Sequence, residues 1–315
     1  MTPQISFIIP LYNEALVFQK LIQRIDALAE RVEQTLEVIL IDDGSRDETP
    51  YLMRQVALNN PRYHCIFLSR NFGHQYALSA GLQYARATEA VMILDGDLQD
   101  PPELFFEFYQ CYLEGFDVIY GVRKKRKEGG FKRMSYFLFY RLLQRISNTP
   151  VFLDSGDFSM ISRRVTNIIN SMPEDNRFLR GLRSWIGFNQ KGVPYERDAR
   201  AGGEPKYTLA RLIKLAYEGI FNFSVFPIKF LTFSGACCLI LAVGYFAITL
   251  VRKLVWGDVP VGFTALLFMV ILFGGIQLVS IGIIGEYVSR TFLQVKNRPL
   301  FIVKERITEG QIIHD

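Results

Sequence analysis

Cysteine and histidine are scarce in this chain, with four cysteines and three histidines among 315 residues. No Cys-x-x-Cys pair and no cluster of cysteine with histidine occurs, so we expect reduced cysteines and no zinc site. So little cysteine also excludes a disulfide-rich class of protein. The formal net charge of +5 is too small to predict a nucleic-acid partner by itself. No base-reading motif accompanies the cations, so no nucleic acid is expected.

Two phosphate-binding signatures are also absent from the sequence. There is no Gly-x-Gly-x-x-Gly after the first apolar run and no Gly-x-x-x-x-Gly-Lys-Ser/Thr anywhere. Their absence argues against a dinucleotide cofactor and against P-loop nucleotide hydrolysis. Residues 1–7 show no charged region or cleavage pattern, so no signal peptide is predicted. By contrast, half of the residues are apolar, and 26 Phe and 15 Tyr exclude a disordered chain.

Two uncharged apolar stretches, residues 230–251 and 263–285, lie toward the end of the chain. Each is long enough to cross a bilayer core, which needs about 20 apolar residues of helix. Two buried core helices are the alternative, but they would need a much larger protein around them. The link between the stretches carries only Arg252, Lys253 and Asp258, whereas both outer flanks are rich in Lys and Arg. The positive-inside rule therefore predicts an integral membrane protein with both termini in the cytoplasm.

The first part of the chain, to roughly residue 120, shows short apolar runs that alternate with helical stretches. This pattern predicts an α/β fold with a mostly parallel sheet covered by helices on both faces. In an open sheet of this kind, ligands bind outside the carboxyl ends of the strands. Four apolar runs end in unusual polar residues, at 10–14, 42–45, 69–73 and 95–100. The sequence therefore predicts a small-ligand site at this edge of the sheet.

Asp95-Gly96-Asp97 is the strongest candidate for a metal site. Two carboxylates two residues apart on an extended segment point the same way, and Gly96 between them allows a close backbone approach. Hard oxygen ligands suit Mg²⁺ or Mn²⁺, and Gln99 adds a neutral oxygen. A turn is the alternative, since Asp and Gly are ordinary turn residues. The position after a buried run, with a second acidic pair ending another run, favours the metal.

Four segments together resemble the family 2 nucleotide-sugar glycosyltransferases, which have the GT-A fold: residues 8–14, 41–47, 70–74 and 94–103. With the two apolar stretches, the chain is similar to the polyprenyl-phosphate glycosyltransferases, which include the dolichol-phosphate mannose synthases. It is most similar to the bactoprenol (undecaprenyl-phosphate) glucosyltransferases of O-antigen modification. Asp-Gly-Asp replaces the commoner Asp-Ala-Asp, a change that we expect to be harmless. The Gln-x-x-Arg-Trp signature of processive synthases is absent, which argues against chain growth.

The resemblance implies an order of domains along the chain. A GT-A domain with a Rossmann-like, mostly parallel sheet covers residues 1–207. A juxtamembrane amphipathic helix follows at 208–228, then two transmembrane helices at 229–287 and a cytoplasmic tail at 288–315. Within the first domain, a basic stretch followed by Phe, Tyr and Leu is typical of an interfacial amphipathic helix, at about 131–147. A solvated face is the alternative for most of these cations.

The resemblance also implies roles for individual residues. The donor-binding residues are Pro10, Tyr12, Glu14, Ile41, Asp43, Asp95, Gly96, Arg200 and Lys206. The metal ligands are Asp95, Asp97 and Gln99, and the acceptor-phosphate contacts are Arg123 and Arg133. The catalytic residues are Asp97 and Asp157.

Several of these roles have an alternative. Asp157 lies in a short acidic segment that we read as a loop, and it fits a base, a positioning group or a turn. Residues 176–181 resemble a loop over the acceptor, although Arg177 and Arg180 equally fit packing or helix-end charges. His74 is read as a structural residue.

The reaction that the resemblance implies is an inverting, metal-dependent transfer of a sugar to a polyprenyl phosphate at a bacterial-type inner membrane. The expected pair of substrates is UDP-glucose and undecaprenyl phosphate, with the catalytic domain in the cytoplasm. The further partners expected are a second copy of the chain, a downstream flippase and a second glycosyltransferase. Two alternatives stay open: transfer to another lipid or a protein hydroxyl, or a non-catalytic membrane scaffold that binds nucleotide sugars.

Overall fold

A computed structural model describes residues 2–123, 155–175, 177–196, 226–256 and 262–313. These residues form two compact units. One contains the described residues up to 196 together with those from 298 onward, and the other contains 226–256 and 262–297. The predicted helix at 131–147 lies outside the described residues, as does almost all of the predicted helix at 208–228. The predicted site residues Arg133, Arg200 and Lys206 also lie outside them.

The described residues of the first unit alternate between strands and helices. The strands are β1 (Ile5–Leu11), β2 (Leu36–Asp42), β3 (Tyr63–Leu68), β4 (Ala90–Ile93), β5 (Val118–Arg123), β6 (Ser155–Ser162), β7 (Gln190–Tyr195), β8 (Val303–Thr308) and β9 (Gln311–Ile313). The helices are α1 (Ala15–Ala29), α2 (Thr49–Asn59), α3 (His74–Tyr84), α4 (Phe105–Leu113), α5 (Arg163–Ser171) and α6 (Leu179–Trp185), with a 3₁₀ turn at Pro102–Leu104. The α/β alternation predicted from the sequence is thereby confirmed.

The strands form one sheet in the order β7-β5-β6-β4-β1-β2-β3-β8-β9. Its centre, β4-β1-β2-β3, is parallel, which confirms the predicted Rossmann-like core of a GT-A fold. The flanks are mixed: β6 lies antiparallel between β4 and β5, and β8 lies antiparallel on β3. Strands β5 and β7 also pair in parallel, and β5 runs in the same direction as β4, so the sheet is mostly parallel as predicted. The predicted series is interrupted by β6, which lies between β4 and β5.

Helices cover both faces of the central strands. Strand β1 is buried along its whole length, as expected for a strand between two helical layers. On one face, Phe7 and Ile9 belong to a cluster with side chains of α1, α2 and α4. On the other face, Ile8 packs in a cluster with α3, α5 and α6. Gly81 lets α3 approach closely, since a Cβ there would lie 2.3 Å from Ile8 Cγ2.

The last residues of the chain belong to this sheet. Strand β8 pairs with β3, and β9 pairs with β8. The Ser69 N–H donates to the Ile302 carbonyl at 2.9 Å, and Glu305 forms an ion pair with Arg54 of α2. The sequence analysis predicts only a tail here, because the short polar-apolar alternation is a weak signal until β3 offers an edge.

The second unit contains two long helices, α7 (Phe226–Trp256) and α8 (Phe263–Val295). Their most apolar parts, Pro227–Trp256 and Leu272–Val295, have mean hydropathies of 2.1 and 1.4, and none of their residues is buried. At about 1.5 Å per residue, each helix exceeds the ~30 Å hydrocarbon core of a bilayer. Both are therefore long and apolar enough to cross a membrane, in agreement with the two predicted apolar stretches.

We predict that Ile307→Ala lowers the free energy of unfolding by about 2–5 kcal/mol, because Ile307 of β8 is fully buried in the core. The matched control is Ile312→Ala in β9, where the side chain is 50% exposed and the expected change stays within about 0.5 kcal/mol. Urea denaturation of the full chain in detergent measures both. Equal effects of the two substitutions would show that β8 is not part of the packed core.

Candidate functional site

The carboxyl ends of β1, β2, β3 and β4 lie at one edge of the sheet, because these strands are parallel. Strand β6 runs antiparallel to β4, with Ser159 opposite Ile93, so β6 begins at this same edge. Continuing that register two residues further places Asp157 opposite Asp95. Topology therefore brings together two acidic residues that are far apart in sequence.

Asp157 lies on a strand and not on the loop that the sequence analysis predicts. The strand was missed because Ser155–Ser162 is rich in serine and short of the β-branched residues that mark strands. Its pairing with β4 and β5 and the full burial of Phe158 and Met160 hold it in the sheet. A strand position fixes the carboxylate more firmly than a loop would.

Asp157 is held in a dense set of hydrogen bonds. Arg180 of α6 donates from Nε to Oδ1 and from a terminal nitrogen to Oδ2, both at 2.9 Å. Gln75 Nε2 donates to Oδ2 at 3.1 Å, while Gln75 Oε1 accepts from the Leu179 N–H at 2.9 Å. Burial opposes ionisation of Asp157, but Arg180 and His74 outweigh it and hold the Asp157 pKa well below its usual value. Asp157 is therefore an ionised hydrogen-bond acceptor at neutral pH.

His74 lies between the two carboxylates of this edge. Its Nε2 is 3.6 Å from Asp95 Oδ1 and 3.5 Å from Asp157 Oδ2. Burial disfavours the charged imidazole, yet the hydrogen bond to Asp157 and the charges of both carboxylates raise the His74 pKa. The sequence predicts a structural residue here, and the structure places its side chain at the acidic edge. The available signal was its place directly after Gly73, at the start of α3.

Asp95 and Asp97 follow β4 and fit a divalent cation. Burial raises the pKa of Asp95 to about 6; His74 opposes this shift, and the charges of Asp100, Asp157 and Asp97 add to it. Carboxylates that repel one another in this way favour a dication between them. Within the described ranges, no three His, Cys, Asp or Glu side chains converge as a complete ligand set. Two carboxylates suffice for Mg²⁺ that keeps waters and binds substrate phosphates.

The backbone around this acidic turn is close-packed and strained. A Cβ at Gly96 would lie 2.4 Å from Leu11 Cδ2 and 3.1 Å from the Pro10 carbonyl oxygen, so the turn lies directly against the end of β1. Leu98 has a φ of 58°, which is rare for a residue of this type. The Gln99 N–H donates to Asp97 Oδ1 at 3.1 Å. Such strain persists where surrounding contacts fix the backbone, commonly at ligand sites.

A cavity of about 340 Å³ opens at the ends of β1, β2 and β3. Tyr12 and Asp42 line it, whereas Asp43 does not. The Asp43 carboxylate instead accepts from the N–H groups of Phe72 and Gly73, at 2.8 and 3.0 Å. The structure thus places Asp42 on the cavity wall and uses Asp43 to hold the loop before α3.

The other predicted donor residues lie around β1. Pro10 and Ile41 are buried neighbours across β1 and β2. Glu14 precedes α1, and its N–H donates to Thr49 Oγ1 at 2.9 Å. These three residues pack or bond at the ends of β1 and β2, next to Tyr12 and Asp42.

Three arginines surround the Gly156–Asp157 segment. Arg123, at the end of β5, donates from Nε to Tyr195 Oη at 3.3 Å, and its guanidinium lies 3.2 Å from where a Gly156 Cβ would be. Arg183 is buried and donates to the Gly156 carbonyl at 3.4 Å, and burial lowers its pKa to about 10. With Arg180, these side chains form what we call the guanidinium cluster: Arg123, Arg180 and Arg183. The three positive charges of this cluster exceed the single negative charge of Asp157.

Comparison with known proteins identifies the family. The sequence profile of glycosyl transferase family 2 matches residues 6–168. The chain belongs to this family. The transferase is 40% identical over 96% of its length to "Uncharacterized glycosyltransferase YkcC" of Bacillus subtilis, covering 94% of that protein. It is 34% identical, again over 96% of its length, to "Prophage bactoprenol glucosyl transferase homolog" of Escherichia coli, covering 98% of it. The chain is thus a glycosyltransferase.

Solved structures give a more distant likeness. The S. aureus TarS 1-349 complex with UDP-GlcNAc has a TM-score of 0.46 at 15% identity, covering 70% of the transferase and 67% of that chain. The mannosyltransferase PcManGT of Pyrobaculum calidifontis has a TM-score of 0.47 at 17% identity, covering 95% and 89%.

Arg177, unlike Arg180, has a packing role in the transferase. Its terminal nitrogens donate to the carbonyls of Ile169 and Met172, each at 2.8 Å. Of the two arginines that the sequence analysis leaves between packing and ligand roles, the structure brings only Arg180 to the acidic edge. Arg183 was missed altogether, because an arginine in a helix carries no sequence signal of burial.

We predict that Arg180→Gln destabilises the transferase by about 1–2 kcal/mol at neutral pH, since Asp157 then lies buried without its main partner. The figure is reduced for solvent screening, because the Arg180 side chain is 40% exposed. The Asp157 pKa is depressed in the folded state. The stabilisation is therefore present above about pH 4 and disappears as the pH falls through that depressed pKa.

Thermal denaturation of the wild type and the variant between pH 3 and pH 8 measures this difference. The control is Arg46→Gln, since Arg46 is exposed and has no carboxylate partner within the described residues. A difference between wild type and Arg180→Gln that is constant down to pH 3 would contradict the ion pair as its cause.

Proposed function

We propose that the transferase moves a glucosyl group from UDP-glucose to the phosphate of undecaprenyl phosphate, with inversion, at the cytoplasmic face of the membrane. The observation that carries this proposal is the guanidinium cluster beside the acidic metal edge. One side of the site is suited to a metal-bound diphosphate, and the other to a second phosphate. The relatives named bactoprenol glucosyl transferase support the choice of glucose and of the lipid.

The donor end of the site is the acidic edge together with the cavity at the ends of β1, β2 and β3. Asp95 and Asp97, with Gln99, would hold Mg²⁺ or Mn²⁺. A bound dication there supplies charge that stabilises the leaving nucleoside diphosphate. The cavity lined by Tyr12 and Asp42 suits the nucleoside, and Asp42 is an acceptor for an N–H of the base. We include Pro10, Glu14, Ile41, Asp43, Gly96, Arg200 and Lys206 in the donor site.

The acceptor end is the guanidinium cluster, to which we add Arg133. A phosphate monoester has its second pKa near about 6 and is mostly dianionic at neutral pH, so it attacks without losing a proton. Charge-assisted contacts from arginine suit such an oxyanion. A hydroxyl acceptor would instead require a general base within hydrogen-bond reach. Asp157 is a poor base here, because Arg180 and Gln75 already occupy its oxygens.

Asp157 therefore acts by placement. It orients Arg180, and through His74 it is linked to Asp95 on the donor side. Holding the two reactants in line is worth several kcal/mol of barrier in favourable cases. The carboxylate thus connects the two ends of the site without taking part in proton transfer.

Helices α7 and α8 anchor the enzyme beside its lipid acceptor. Both are long and apolar enough to span the bilayer, and the positive-inside rule places both termini in the cytoplasm. Anchoring confines enzyme and acceptor to one surface and raises their effective concentration. A glucosylated lipid made on the cytoplasmic side needs a flippase and a second glycosyltransferase to be used on the other side. We also propose that the transferase associates with a second copy of itself.

We predict that transfer requires a divalent cation and that Asp97→Asn lowers kcat at least about 100-fold, or ~3 kcal/mol, the scale of Lewis-acid help. The control is Glu107→Gln, the same chemical change on an exposed side of α4, which should leave kcat unchanged. Transfer of labelled glucose to lipid, with and without EDTA, measures both effects. Full activity in EDTA with no retained metal would exclude the metal.

We predict that Arg123→Ala raises the KM for undecaprenyl phosphate at least about 10-fold, the loss of a charge-assisted contact. The KM for UDP-glucose should change little. Lys20→Ala, which removes an exposed cation of α1, is the control and should change neither value. Mass spectrometry of lipid products identifies the acceptor in the same assay. A glucosylated hydroxyl lipid, or an unchanged acceptor KM, would favour the hydroxyl-acceptor alternative.

A further inference from the structure

Strand β8 supplies one wall of the cavity that we assign to the nucleoside. Lys304 of β8 lines this cavity together with Tyr12 and Asp42. Arg46 and Arg70 line it as well. In the sequence, β8 follows α8, so the residue comes from the tail that lies beyond the second apolar helix.

A β-bulge turns Lys304 toward the cavity. Phe67 of β3 pairs with Glu305 and Leu68 pairs with Val303, so Lys304 is an extra residue opposite β3. Regular alternation would put Lys304 on the face opposite Glu305. The bulge instead leaves both on the side of α2, where Glu305 pairs with Arg54. Bulges of this kind commonly re-aim a side chain next to an active site.

The neighbours of Lys304 on β8 show which face of the strand packs against which helical layer. Ile307 packs in the same core cluster as Phe67. Arg306 and Val303 contact the opposite layer, Arg306 over the Tyr84 ring at 4.6 Å and Val303 against the second core cluster. Val303 and Lys304 therefore lie on opposite faces, and the usual alternation fails between Lys304 and Glu305, which lie on the same face.

The charge of Lys304 is not used by the fold. Arg54, on the same wall, is neutralised by Glu305, and Arg70 is placed over Phe72 with its centre 4.0 Å from the ring. Lys304 is exposed and has no carboxylate partner in the part of the chain that the structure describes. The Lys304 ammonium thus brings three N–H donors to the wall of a cavity that the Asp42 carboxylate also lines.

We propose that Lys304 donates a hydrogen bond to a carbonyl of the donor's base, and that the tail strand thereby helps to select uracil. The proposal rests on the proposed function, which assigns this cavity to the nucleoside. The pairing edge of uracil has two carbonyl acceptors on either side of one N–H. The pairing edge of guanine has one carbonyl and two N–H donors. A cavity with one carboxylate and added cationic donors matches the first pattern better than the second.

The test compares binding of UDP and of uncharged uridine to the full-length transferase in detergent, by isothermal titration calorimetry. For Lys304→Ala we expect about a 10-fold loss of affinity for both ligands, since a contact to the base does not depend on the phosphates. Lys304→Gln, which keeps a donor, should recover part of the loss. It also serves as the second variant should Lys304→Ala prove poorly folded. The matched control is Arg306→Ala, which removes one cation two residues away on the other face of β8 and should leave both affinities unchanged.

Two kinds of result would overturn the proposal. Unchanged affinities in Lys304→Ala would show that the tail strand does not contact the base. A loss confined to UDP, and abolished by 1 M salt, would show only a long-range attraction to the diphosphate. If the wild type binds neither uridine nor UDP, the proposed donor itself is wrong, which distinguishes the failure of the proposed function from the failure of this inference.

Discussion

The parallel pairing of four central strands is the constraint on which the site depends. Because β4, β1, β2 and β3 run the same way, the polar residues that follow them meet at one edge of the sheet. Strand β1 is buried along its whole length, so the middle of the sheet gives a ligand no access. Chemistry is thereby confined to the strand ends, where backbone turns expose carboxylates and donors.

The charges at this edge fall into two groups that the protein treats differently. Asp157 is matched by Arg180 and Gln75, so its negative charge is satisfied within the fold. Asp95 lies among other carboxylates, with its pKa raised to about 6 by burial. The first arrangement holds the Arg180 guanidinium in place, and the second favours an added dication. His74 lies between the two carboxylates and partly offsets their mutual repulsion.

The two apolar helices interrupt the catalytic sheet in the order of the chain. Strand β7 comes before them and β8 after them, yet both strands belong to the same sheet. The helical unit is therefore an insertion between two strands of one domain. Both of its chain ends are tied to the catalytic unit, so the tail is a structural part of the domain.

Much of this protein was determined by its sequence alone. The alternation of apolar runs and helices specified the parallel centre of the sheet, because burial on both faces leaves a periodic trace. The length of two uncharged stretches specified two helices that are long and apolar enough to cross a membrane. The acidic turn at Asp95 and Asp97 was visible because a buried strand ends directly before it.

The remaining features were decided only by tertiary structure, because they depend on partners distant in sequence. Asp157 became a strand residue through β4 and β5, and Arg180 became its partner because α6 packs beside β6. Asp42 and Asp43 are adjacent and chemically identical, yet one lines the cavity and the other holds a loop. Lys304 faces that cavity because of a bulge against β3. Local sequence does not determine these side-chain positions, because each one depends on contacts with an element that is distant in the chain.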